Sequence, residues 1–173
     1  MRALAVVLAF TSLTACKRAP THVHVDAAHT TKGPGLLAID GARLDLERAG
    51  AYDYVCASHA SPGKGQSGCA DNHYYVFPLV PAASADGGAT TINAWGTCQP
   101  NMITTLDACR KRLEKPGLAL QGPIMRRVGD RETALASESG WEKAIDEAKK
   151  QHGLETPKNA PIVILDVDEP VTR

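Results

Sequence analysis

Aromatic side chains are scarce in this chain of 173 residues, which holds two Trp, four Tyr and two Phe. So few rings argue against a stacking platform for nucleic-acid bases and, more mildly, against a sugar-binding site. An excess of one charge is also missing, because 19 basic side chains balance 19 acidic ones. Without a basic excess there is no electrostatic case for nucleic acid, and we expect no nucleic-acid partner.

Long apolar runs are missing as well. The run over residues 3–13, which follows the single basic residue Arg2, is too short to span a bilayer as a mature helix. It ends in Leu13-Thr14-Ala15-Cys16, which resembles the lipobox of bacterial lipoproteins. The resemblance implies that residues 1–15 are a signal peptide that is removed and that Cys16 is lipidated. An ordinary cleaved signal peptide is the alternative.

A lipidated Cys16 implies an extracytoplasmic protein whose partner is a bacterial membrane, reached through the lipid anchor. Lys17 stands where the lipoprotein class commonly has Asp as a signal for inner-membrane retention. The resemblance therefore favours the outer membrane.

The remainder of the chain is long enough for one domain. Residues 16–35 hold almost no large apolar side chain, so we expect a flexible tether there, because such a segment cannot offset the entropy of ordering. We assign residues 36–173 to a single domain.

The pattern of apolar residues predicts several strands. Alternation on both sides of Asp40-Gly41 indicates a hairpin, because Asp-Gly readily adopts the positive φ angles of a tight turn. Residues 74–77 and 90–95 are rich in β-forming residues. Residues 162–165 form a continuous apolar run, which is typical of a central strand.

Two helices are predicted. Leu106, Cys109 and Leu113 recur at helical spacing after the candidate caps Thr104 and Thr105. A stronger apolar stripe occupies residues 141–148. Early strands followed by interleaved helices favour the α+β class, with a small, mostly antiparallel sheet, two short helices and stabilising disulfides.

Four cysteines remain when Cys16 is set aside, an even number that suits an oxidising compartment. We expect two disulfides. Four cysteines allow three pairings, and we favour Cys56 with Cys69 and Cys98 with Cys109, because each closes a short loop. The crossed pairings stay open.

Two sets of residues could bind zinc or copper. His22, His24 and Asp26 alternate, with His29 nearby, although a solvated tether is the simpler interpretation. A second set combines Cys and His, the ligand types that zinc prefers. In an oxidising compartment a disulfide is favoured over metal in this set, which consists of Cys56, His59, Cys69 and His73.

A second resemblance rests on three short pieces: residues 91–96, the helix with Leu106 and Leu113, and residues 160–166 followed by Pro170. Together they resemble the periplasmic domain of the ExbD/TolR biopolymer-transport family. That resemblance implies a small sheet-and-helix domain that binds partner proteins or peptidoglycan, and we transfer no functional residue from it.

No convincing catalytic set is visible. Three serines share one loop with His59 and Asp71, but nothing there would activate a nucleophile; the serines are Ser58, Ser61 and Ser67. The sequence therefore favours a non-enzymatic lipoprotein that binds an envelope protein or polymer. A metal-binding lipoprotein for zinc or copper is the alternative.

Overall fold

The computed structural model describes residues 19–54, 72–84, 88–98, 103–130 and 140–165. Within them lie eight strands: β1 (Thr21–His24), β2 (Leu36–Asp40), β3 (Ala42–Leu44), β4 (Gly50–Tyr54), β5 (Asn72–Pro81), β6 (Trp95–Thr97), β7 (Gln121–Arg127) and β8 (Pro161–Ile164). The helices are α1 (Leu106–Leu113), α2 (Gly140–His152) and a 3₁₀-helix (Val25–Thr30). These elements confirm the α+β class. In this part of the chain, every helix is too short or too polar to cross a membrane.

The strands form one mixed sheet in the order β1-β2-β7-β8-β6-β5-β3, and β4 also pairs with β5. β1 is parallel to β2 and β6 is parallel to β8, whereas the other pairs are antiparallel. The prediction of a small, mostly antiparallel sheet is thus corrected. A parallel pair needs a long crossover, and the chain between β6 and β8 contains both α-helices, so local sequence signals cannot reveal the pairing.

The sheet is curled, so that β2 and β3, which are far apart in the strand order, lie close together. β2 pairs with β7 and β3 pairs with β5, although Gly41 alone separates β2 from β3. In a flat sheet five strand spacings would set them about 24 Å apart. The side chains of Leu44 and Leu165 pack against Gly96 inside the curl, where a Cβ on that glycine would collide with them.

The predicted hairpin around Asp40-Gly41 is therefore wrong, because β2 and β3 do not pair with each other. Gly41 does adopt a positive φ of 68°, but it bends one strand from its first partner to the next. Asp-Gly supplies the backbone conformation in both cases, and only tertiary contacts decide between them.

Two apolar cores lie on either side of the curled sheet. The inner core includes Phe77, Leu79 and Val163 and is covered by α1 and the 3₁₀-helix. The outer core lies beneath α2, whose Trp141 and Ile145 pack on the outside of the sheet. Both predicted α-helices are confirmed: Thr105 is the N-cap of α1, and α2 contains the whole predicted stripe and ends at His152, just before Gly153.

The tether prediction for residues 16–35 needs correction over residues 21–30. β1 pairs with β2, and the 3₁₀-helix buries Val25 and Ala28, which are 1% and 0% exposed. Two small apolar side chains in a polar context gave too weak a signal, but they fill one end of a core that the rest of the chain builds.

Other strands differ from prediction in extent. Residues 74–77 belong to the longer β5, and residues 162–165 overlap β8, which is central between β7 and β6. The strand predicted over residues 90–95 is wrong over most of its length, because β6 begins only at Trp95 and Thr91 forms only an isolated bridge. β4 and β7 were not predicted. β7 carries Pro123, which ordinarily argues against a strand interior.

Candidate functional site

The ribbon of β4 and β5 places chemically active side chains on both of its faces. Asp53 lies opposite His73, and Tyr54 lies opposite Asn72 at the end of the ladder. Because neighbouring residues of a strand point to opposite faces, Asp53 and Tyr54 belong to different surfaces. The segment 55–71, which joins the two strands and contains Cys56, His59 and Cys69, lies outside the described residues.

A polar cluster occupies the inner face of this ribbon. Oδ1 of Asp53 is 2.8 Å from Nδ1 of His73. The hydroxyl of Tyr75 lies 3.1 Å from the same Oδ1 and 3.0 Å from the carbonyl oxygen of Thr104, so its one proton has two acceptors. The rings of His73 and Tyr75 stack with their centroids 6.3 Å apart.

Burial controls the chemistry of Tyr75, which is only 5% exposed. Desolvation, followed by the charge and the hydrogen bond of Asp53, raises the pKa of Tyr75 to about 12. The phenol is therefore protonated at every physiological pH and acts as a donor. It joins the ribbon to Thr104, just before α1.

Asp53 also fixes the orientation of His73. A carboxylate only accepts hydrogen bonds, so Nδ1 of His73 must carry the proton. Neutral His73 then presents the lone pair of Nε2, and its side chain is 23% exposed. This arrangement is shared by histidines that ligate metals and histidines that act as general bases.

Aromatic residues gather on the outer face of the same ribbon. Tyr52 and Tyr74 are cross-strand partners with ring centroids 6.2 Å apart, and Tyr74 meets Trp141 of α2 edge to face at 5.1 Å. Nζ of Lys143 lies 4.7 Å from the centre of the Tyr52 ring and 3.2 Å from its hydroxyl. Tyr54, two residues farther along β4, is 48% exposed.

We name Tyr52, Tyr54, Tyr74 and Lys143 the ribbon-end surface. Tyrosine rings offer apolar contact and a hydrogen-bonding hydroxyl together, and tyrosine is enriched at binding interfaces. None of these residues, nor Asp53 or Tyr75, was predicted from the sequence as part of a site. The alternation of Tyr52 with Tyr54 and of His73 with Tyr75 was the signal that could have revealed them.

The predicted disulfide between Cys98 and Cys109 is confirmed, with the two Cα atoms 5.8 Å apart. It attaches α1 to the end of β6, next to the polar cluster, where the hydroxyl of Thr97 donates to the carbonyl oxygen of Tyr75 at 2.7 Å. This bond excludes both crossed pairings. In a fully oxidised domain it leaves Cys56 and Cys69 to each other.

The structure engages the predicted N-terminal metal ligands with separate carboxylates. Nδ1 of His22 lies 3.1 Å from Asp40, and Nδ1 of His24 lies 3.2 Å from Asp26. Nδ1 of His29 is buried without a hydrogen-bond partner in the described part of the chain. Among the described residues no three His, Cys, Asp or Glu side chains are grouped for a metal ion. The zinc or copper sites stay a prediction, and Cys16 lies outside these residues.

Comparisons with family models, with curated proteins and with solved structures found no match to this chain. The resemblances to bacterial lipoproteins and to the ExbD/TolR family therefore stay predictions.

Proposed function

We propose that this chain is a membrane-anchored extracytoplasmic lipoprotein, lipidated at Cys16, whose domain is a non-enzymatic module that binds a protein or polymer of the bacterial envelope. The outer membrane is the favoured location. The ribbon-end surface is the contact surface for that partner.

The observation that carries this proposal is the placement of Tyr54. It is one of three large hydrophobic side chains that stay exposed in the described residues, and it lies two residues along β4 from Tyr52, whose ring contacts Tyr74 of β5, which in turn packs on Trp141 of α2. Rings held by their neighbours lose little freedom on binding, so such a surface gains contact area at low entropic cost. Lys143 adds an attraction for anionic groups, which suits an acidic envelope polymer or an acidic protein surface.

Metal binding is the second candidate, and the orientation of His73 by Asp53 favours it. In this alternative, His73 contributes Nε2, and zinc or copper takes its remaining ligands from Cys56, His59 and Cys69 in their reduced form. Titration calorimetry with Zn²⁺ and Cu²⁺ on the reduced and oxidised domain tests it. Binding only by the reduced protein, lost in His73→Ala, supports the alternative, and no binding by either form rejects it.

The binding proposal is tested by mixing the mature protein with two targets: purified peptidoglycan sacculi, and whole envelopes treated with formaldehyde so that bound partners are crosslinked. We expect either retention on sacculi or one discrete crosslinked adduct, and at least a tenfold loss in Tyr54→Ser. Gln151→Ala, at an exposed position on α2, is the matched control and should bind as the unmodified protein does. Failure of the unmodified protein to bind either target would reject the proposed function.

A further inference from the structure

The folded part of the chain begins close to the proposed anchor. β1 starts at Thr21, five residues after Cys16, and it pairs at once with β2. An extended chain covers at most about 3.6 Å per residue, so five residues reach no farther than about 18 Å. If Cys16 is held in a bilayer, the start of β1 lies within that distance of its surface.

Exposed apolar side chains lie beside the start of β1. Thr21 is in register with Leu37, so Leu36, the first residue of β2, lies beside the start of β1, where it is 39% exposed. Met125, in the bulge of β7, is 43% exposed. The hydrogen bond from the amide of Ile124 to the carbonyl of Gly35, at 2.9 Å, places Met125 next to the start of β2.

A buried arginine fixes the loop that leads into β2. Nη2 of Arg127 donates to the hydroxyl of Thr31 and the carbonyl of Gly33, both at 3.1 Å, and Nη1 donates to the carbonyl of Asn159 at 3.0 Å. Arg127 itself is 8% exposed. The loop is therefore held on the core, and it presents the exposed Lys32 on the same end of the sheet as Leu36.

We propose that Lys32, Leu36 and Met125, which we name the membrane-side patch, rest on the surface of the bilayer that holds Cys16. This inference rests on the proposed lipid anchor. Leu36 and Met125 enter the boundary between headgroups and acyl chains, and Lys32 lies among the phosphates, the pattern by which proteins lie on a membrane without spanning it.

The patch also gives the domain a direction. The amide of Ala82 donates to the carbonyl of Gly41 at 2.8 Å, so the end of β2 meets the Pro81 end of β5, whereas Tyr54 lies at the Asn72 end. An extended strand of the length of β5 spans about 30 Å. The ribbon-end surface is therefore presented away from the bilayer, toward the envelope space.

Tryptophan reporters test this orientation. The full mature chain is prepared as Leu36→Trp, Met125→Trp and Tyr54→Trp and reconstituted in vesicles of phosphatidylethanolamine and phosphatidylglycerol, with or without brominated acyl chains. Trp95 and Trp141 are buried and give a constant background in all three variants. We expect brominated lipid to quench the emission of the first two reporters at least twofold more than that of Tyr54→Trp, which is the matched exposed control.

The outcomes separate the two proposals. Mass spectrometry of the same samples establishes lipidation at Cys16 independently of quenching. A lipidated protein whose three reporters are quenched equally would overturn the membrane-side patch and leave the anchor intact. A protein without lipid would overturn the anchor and, with it, the patch. Circular dichroism identifies any variant that has not folded, and the other reporter in the membrane-side patch is then compared with Tyr54→Trp in its place.

Discussion

Replacing Tyr75 by Phe should change stability in a pH-dependent way. An unfolded tyrosine has a pKa of about 10, whereas burial and Asp53 raise the pKa of Tyr75 to about 12. Between these values the unfolded chain releases a proton that the folded chain keeps. The free energy of unfolding therefore falls as pH rises, by about 1.4 kcal/mol for each pKa unit, or about 2.7 kcal/mol in total.

Tyr75→Phe removes this dependence and also one hydrogen bond. At pH 7 we expect the variant to be less stable by about 1 kcal/mol, because the carbonyl of Thr104 loses its donor. Between pH 10 and pH 12 the stability curves of the variant and the unmodified protein should converge and then cross. Short guanidinium titrations followed by circular dichroism measure both effects.

Tyr54→Phe is the matched control, since Tyr54 is exposed at the end of the same ribbon. Absorbance at 295 nm, which reports tyrosinate, should show one late-ionising tyrosine that is missing only in Tyr75→Phe. A Tyr75 that ionises near pH 10 would contradict the raised pKa, as would parallel stability curves up to pH 12.

Three further predictions concern the scaffold. Cys98→Ser with Cys109→Ser opens a loop with a sequence separation of 11 residues and should lower the free energy of unfolding by about 3 kcal/mol in denaturant titrations. Gly50→Ala should cost roughly 1–3 kcal/mol, because a Cβ there collides with a backbone carbonyl of α2. Asp45→Asn should cost about 1–3 kcal/mol at pH 7, because Nε of the largely buried Arg48, 2.7 Å away, loses its anionic partner.

Each has its own check. Reduction should leave the stability of the double Ser variant unchanged, apart from any effect of the remaining cysteines. An unfolding midpoint equal to that of the unmodified protein would contradict the predicted loss of stability. Gly117→Ala serves as the control for Gly50→Ala: its site has open space but a φ of 74°, so it loses stability through backbone strain alone. A Gly50→Ala as stable as the unmodified protein would mean that α2 is not packed on β4.

The Asp45 prediction is checked by the loss of stability at acid pH. Burial raises the pKa of Asp45, but the hydrogen bonds and charge of Arg48 outweigh it and hold the pKa below its usual range. The resulting stability is present above the unfolded pKa and is lost as pH falls through the lowered folded value. Asp45→Asn should therefore lose stability less steeply in acid than the unmodified protein does. Identical acid limbs would contradict this.

Local patterns predicted the parts of the fold that form locally. α2 was predictable because its apolar stripe recurs at helical spacing over about two turns, and α1 because Thr105 caps it. β8 was predictable because a continuous apolar run is buried on both faces. These elements supply much of the core, and the short loop between Cys98 and Cys109 made their pairing the simplest one.

Tertiary contacts decided the rest. Asp40-Gly41 satisfies a hairpin turn and a strand bend equally well, and only the partner strands β7 and β5 distinguish them. Val25 and Ala28 are too few and too small to predict a buried segment. Asp53 and His73 come together only because β4 pairs with β5, and an intervening segment separates the two strands in the sequence. The geometry of the polar cluster could therefore not be predicted from either strand alone.

The most direct test of a membrane-anchored binding module is the mass of the N-terminal peptide of the mature protein purified from membranes. We expect a peptide that begins at Cys16 and carries covalently attached acyl chains. A mature chain that begins elsewhere, carries no lipid and is released from membranes by salt would contradict it.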